Sequence, residues 1–156
     1  MLTYKPATNE QYDEFLQLML REAADYLART MELMQMTIEQ AQHLFRTTGQ
    51  VYAIYQEDAL VGFYWIEERG NIVHLHGLVL AGEFHGKGIG TQTLTMLAAK
   101  YSGKMEAIEL GVHESNAKAR GLYERLGYQT VRHLDDLGFY IMQRPLVEQQ
   151  SADKGS

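Results

Sequence analysis

Two short stretches of this chain hold residues whose types and spacing could do chemistry. The first is His85-Gly86-Lys87-Gly88-Ile89-Gly90-Thr91. Glycines let a backbone come close to a ligand, and a helix start offers unpaired N–H groups at the positive end of its dipole. A glycine-rich turn running into a helix therefore suits a phosphate or pyrophosphate. The spacing is neither G-x-G-x-x-G nor G-x-x-x-x-G-K-[ST], so it meets neither a dinucleotide fingerprint nor a P-loop. Standing alone, the stretch reads equally well as a tight turn with no ligand. The second stretch is His74-Leu75-His76. In an extended strand, period two puts both imidazoles on one face. Imidazole titrates near neutrality and can take a proton from a reacting group. The pair also suits two half-buried sheet histidines held by hydrogen bonds. A chelating set with His85 or His113 lacks a carboxylate or thiol at supporting spacing, so no metal is assigned.

Several elements must position these residues. Thr8 with Gln11, and Thr37 with Gln40, are capping-box patterns that open two helices. Tyr12, Phe15, Leu16, Met19, Ala23 and Leu27 recur at helical spacing in the first. Ile38, Ala41, Leu44 and Phe45 line the second, and Gly49 supplies its stop. Val51 to Tyr55 and Leu60 to Ile66 flank the Glu57-Asp58 turn and read as a hairpin. Ile72 to Leu80 is a third strand. The glycine loop then opens a helix from Ile89 to Tyr101. Ala107 to Val112 is a strand, and Ser115 or Asn116 caps a helix that Gly127 ends. Tyr128 to His133 and Gly138 to Met142 are the last two strands. The order is helices, three strands, helix, strand, helix, two strands. That predicts an α+β, or mixed α/β, domain with helices on a largely antiparallel sheet.

Composition narrows the function. A length of 156 residues suits one domain with one core. We expect that domain over residues 1–146, with 147–156 a polar, disordered tail. The chain has no cysteine, which removes disulfides, thiolate metal ligands and a cysteine nucleophile. The net charge of -6, without a cluster of Lys and Arg, argues against nucleic acid as a partner. It aids solubility and suits the approach of a cationic amine. No apolar run is long enough to span a membrane, and Met1 to Ala7 has no basic-then-apolar leader pattern, so a cytoplasmic protein is expected.

With these elements in place, two blocks resemble the GNAT superfamily of N-acetyltransferases. Its acetyl-CoA loop follows Arg/Gln-x-x-Gly-x-Gly/Ala, and here stands His85-x-x-Gly88-x-Gly90. The first position departs from the family, and Gly82 stands where members often have proline. The second block runs from Asn116 to Tyr128 and resembles Asn-x-x-Ala-x-x-Leu-Tyr-x-x-x-Gly-Phe/Tyr, with Asn116, Ala119, Leu122, Tyr123 and Gly127 in register. The resemblance implies a GNAT-like fold, with a twisted, largely antiparallel sheet of about six or seven strands and about four flanking helices. It also implies a splayed strand pair that admits coenzyme A.

By the same resemblance, backbone near Leu78, Val79 and Leu80 would pair with the pantetheine arm like an added strand. His85, Gly86, Lys87, Gly88, Ile89, Gly90 and Thr91 would hold the pyrophosphate, mainly through backbone amides. Asn116 would meet the pantetheine, Ala119 would leave room for it, and Tyr123 would protonate the leaving thiolate as a general acid. His74 to Leu80 resembles a segment of the serotonin N-acetyltransferase branch, whose paired histidines aid proton removal through ordered water. His74 and His76 are therefore expected to assist deprotonation of an amine that attacks acetyl-CoA directly. The acceptor would be a small-molecule or peptide amine. Tyr26, Met31, Met34, Met36, Tyr64 and Trp65 could line its pocket, but most read as plain core. Two alternatives stay open: a non-catalytic acetyl-CoA-binding or sensor protein of the same fold, and a domain that pairs as a homodimer through a sheet edge or the last hairpin.

Overall fold

A computed structural model describes residues 1–23, 31–32 and 35–146 of the chain. The elements run β1 (Leu2–Pro6), α1 (Asn9–Glu22), α2 (Ile38–Thr47), β2 (Gln50–Gln56), β3 (Ala59–Arg69) and β4 (Ile72–Leu80). A short 3-10 turn (Gly82–Phe84) then leads to α3 (Ile89–Tyr101), β5 (Ala107–His113), α4 (Ala117–Arg125), β6 (Gln129–Leu134) and β7 (Phe139–Pro145). The seven strands lie in the order β1-β2-β3-β4-β5-β7-β6. β1–β2, β2–β3, β5–β7 and β6–β7 pair antiparallel, whereas β4 and β5, which are joined through α3, run parallel, as a helical crossover requires. The fold is thus α+β, with a mostly antiparallel sheet and four helices among the described residues.

Capping chemistry explains the helix starts. Thr8 and Thr37 each accept from the backbone N–H three residues on, while Gln11 and Gln40 reach back to the cap N–H. α1 stops at Glu22, short of the expected run, and Leu27, Tyr26, Met34 and the tail at 147–156 lie outside the described residues. β1 was not expected from the sequence. It has only five residues and occupies a sheet edge, where most of its side chains face solvent and leave little apolar alternation to read.

The described chain divides into two compact units. One holds Met1–Glu67 with His76–Thr93, and the other holds Glu68–Leu75 with the chain from Leu94 onward. The core of the first is an aromatic cluster. The Phe15 ring meets Phe45, Phe63 and Trp65 edge-on at centroid distances of 4.9, 5.6 and 6.3 Å. Met31 and Met36 pack against this cluster, so these two belong to its margin. In the second, Ile108, Leu110 and Val112 of β5 are buried with Tyr128, Phe139 and Met142. The β4–β5 ladder also lies in this unit and covers Ile72–Leu75 opposite Ala107–Leu110. β4 itself continues to Leu80, and β5 to His113. No helix among the described residues is long and apolar enough to cross a membrane.

Candidate active site

Alternation along β4 sorts its side chains as period two demands. Val73, Leu75 and Val79 are buried, while His74 and His76 share the other, half-buried face. Each imidazole has its own carboxylate. In the first unit, His76 Nε2 lies 2.8 Å from Glu67 Oε1. Its ring stacks on Trp65 at a centroid distance of 4.3 Å, and the Trp65 indole N–H donates to the Thr48 carbonyl at 2.6 Å. In the second unit, His74 Nδ1 lies 2.8 Å from Glu109 Oε2, and Gln143 Nε2 donates to Glu109 Oε1 at 2.9 Å.

These contacts fix tautomers. An ionised carboxylate only accepts, so Nε2 of His76 and Nδ1 of His74 carry the hydrogens that face it. Burial pushes the Glu109 carboxyl upward. The bonds from Gln143 and His74, with the charges of His74 and Arg132, outweigh that and hold it below the ordinary 4.5. A neutral imidazole in either setting is a base whose conjugate acid has a counter-ion already in place. Glu67 and Glu109 were not identified from sequence. Glu109 did leave a trace, as a charged residue interrupting the apolar run Ile108, Leu110, Val112. Its partner depended on the strand register His74↔Glu109, which the sequence does not carry.

The glycine loop lies in the first unit, between β4 and α3. Gly86 and Gly88 take φ of +75° and +80°, the left-handed region that disfavours other residues. A Cβ at either position meets nothing within 4 Å, so backbone conformation rather than crowding calls for glycine. Ile89 is buried and anchors the helix start, and the first helical bond runs from Gln92 N–H to the Gly88 carbonyl at 3.0 Å. The N–H groups of Ile89, Gly90 and Thr91 come before that bond and are first-turn donors. Lys87 is exposed, with its ammonium 5.8 Å from the Phe84 ring centroid. His85 Nε2 donates to the Leu80 carbonyl at 2.8 Å. Of Leu78, Val79 and Leu80, Val79 has a buried side chain and could meet a ligand only through its backbone.

Asn116, Ala119 and Tyr123 lie in the second unit, on or before α4. Asn116 caps α4, its side-chain oxygen accepting from the Ala119 N–H at 3.1 Å. That use leaves its NH2 as the group with donors for a ligand. Tyr123 is half-buried, its ring 5.8 Å from that of Tyr128. Among the described residues no group of three or more His, Cys, Asp or Glu is arranged to hold a metal ion.

Comparison with known proteins adds three kinds of likeness. A model of the acetyltransferase (GNAT) family matches residues 11–128. The mycothiol acetyltransferase of Corynebacterium efficiens is 28% identical over 103 residues, which cover 64% of this chain and 34% of that protein. The chain thus spans about a third of the length of that curated relative. Among solved structures, an acetyltransferase from Thermus thermophilus superposes with a TM-score of 0.74 at 18% identity, covering 94% of this chain and 97% of that one. A GNAT family acetyltransferase from Elizabethkingia anophelis, solved with acetyl-CoA bound, gives 0.70 at 17% identity over 93% and 98%. At these identities the structures speak for the fold.

Proposed function

The chain belongs to the acetyltransferase (GNAT) family, and from that premise we propose that it moves an acetyl group from acetyl-CoA to the nitrogen of an amine. The observation that carries the reading is the left-handed Gly86-Lys87-Gly88 turn opening α3. It supports a pyrophosphate on backbone N–H groups from Gly86 to Thr91, assisted by the helix dipole. Backbone at Leu78, Val79 and Leu80 takes the pantetheine arm, Asn116 donates to it, and Ala119 keeps its side of α4 low. The family match runs through both units, so we read residues 1–146 as one acetyltransferase domain.

The reaction is a direct transfer. The neutral amine attacks the thioester carbonyl, a tetrahedral intermediate forms, and the C–S bond breaks to release the coenzyme A thiolate. His76, with His74 beside it, receives the amine proton. Glu67 holds His76 in one tautomer and stabilises the imidazolium that forms, and Trp65 fixes the ring plane. Tyr123 gives its phenol proton to the thiolate. The test is thiol release from acetyl-CoA across a panel of small and peptide amines. Removing a proton-transfer group costs roughly 10²–10⁴-fold. We therefore expect His76→Ala and Tyr123→Phe to lower kcat by at least about 10²-fold on any amine that wild type accepts. Retention of full activity in both variants would remove these roles and favour another mechanism.

A further inference from the structure

Three features near the glycine loop belong together. The loop departs from the family pattern at two positions, His85 and Gly82. Both meet the same carboxylate, Glu22 in the last turn of α1. A Cβ on Gly82 would lie 3.2 Å from Glu22 Oε2, and His85 Nε2 is 3.8 Å from Glu22 Oε1. The same Nε2 donates to the Leu80 carbonyl at 2.8 Å. We propose that His85 is a positioning residue for the phosphate-binding loop, closing residues 80–85 into a ring that Glu22 backs.

The geometry is that of a brace. β4 ends at Leu80 and the chain turns through Gly82–Phe84, where Phe84 N–H donates to Ala81 and His85 N–H to Gly82. The imidazole then reaches back across the whole turn to the last β4 carbonyl. One end of the Gly86-Lys87-Gly88 turn is thereby fixed to the sheet, and buried Ile89 fixes the other. Two glycines in a row of three leave the backbone many conformations to lose on binding. A brace at the entry reduces that loss and so raises affinity for a ligand held by the loop amides. A Cβ at position 82 would crowd Glu22 Oε2 at 3.2 Å and push it a few tenths of an ångström, so glycine there leaves the carboxylate where it backs the histidine. This inference rests on the acetyl-CoA reading of the loop.

The test is calorimetric titration of the full chain with acetyl-CoA, for wild type, His85→Leu, His85→Gln and Glu22→Gln. Leu fills a similar volume without a donor, whereas the Gln amide can still donate to the Leu80 carbonyl. One net hydrogen bond is worth roughly a three- to tenfold change in Kd. We expect that loss for His85→Leu, near-complete recovery for His85→Gln and a smaller loss for Glu22→Gln. The free proteins should melt within about 2 °C of wild type, because His85 lies at the surface. Wild-type affinity in His85→Leu overturns the brace while leaving acetyl-CoA binding intact. Absence of binding in wild type overturns the acetyl-CoA reading and the brace together.

Discussion

At the scale of single residues, the Tyr128 hydroxyl is buried and has no hydrogen-bond partner among the described residues. Burial pushes its phenol above the ordinary tyrosine range, the Arg144 guanidinium opposes this, and Tyr123 adds to it. The ring is neutral at any ordinary pH, so what it contributes is packing, and the hydroxyl carries an uncompensated desolvation cost. Removing such a group recovers about 1 kcal/mol. Tyr128→Phe should therefore raise the thermal midpoint by roughly 2–4 °C and leave acetyl transfer unchanged. A fall in the midpoint would reveal a bond to that oxygen and refute the assignment. Position 128 is also where the family block accepts Phe or Tyr, so a ring without the hydroxyl fits the same space. Residue roles that depend on local chain geometry were legible in the sequence. The capping boxes at Thr8 and Thr37 follow from residue type and spacing alone, whereas the start of α4 left both Ser115 and Asn116 open and the structure gives the cap to Asn116. Glu67, Glu109 and Glu22 were not legible, because each acts on a residue brought to it by strand register or by helix packing.

At the scale of elements, Glu109 ties three strands together. It stands on β5, receives His74 from β4 and receives Gln143 from β7. Its carboxyl is held below 4.5 in the folded state, so the unfolded chain binds more protons over the interval between the two values. Stability from this group is therefore fully present above 4.5 and is lost as pH falls through the folded value. Glu109→Gln replaces one acceptor oxygen by an NH2 that faces a donor. It should cost roughly 1–3 kcal/mol at pH 7. The gap to wild type should narrow steadily below pH 4.5, as read from urea midpoints across that range. A gap that stays constant with pH would mean the variant acts through packing instead. Helices and most strands were legible because caps, turns and apolar alternation act within a few residues. β1 escaped because its support is non-local: it pairs along all five residues with β2, Leu2↔Gln56 through Pro6↔Tyr52, some fifty residues away.

At the scale of the whole molecule, the fold was legible in outline from the order of elements and two motif blocks, and the solved relatives reach the same architecture at under a fifth identity. A ligand held by the loop between β4 and α3, as proposed above, should act on the stability of the native chain. A ligand that binds only the native state, at about a hundred times its Kd, adds roughly 2.7 kcal/mol. For a chain of 156 residues that raises the thermal midpoint by roughly 5–10 °C. Acetyl-CoA should produce such a rise, and adenosine, which lacks both the pyrophosphate and the pantetheine, should not. Equal responses to the two would point to the adenine rather than the loop as the recognised group. A folded protein whose midpoint does not move at millimolar acetyl-CoA would sink the transferase reading, because a loop that holds no pyrophosphate cannot hold the acetyl donor.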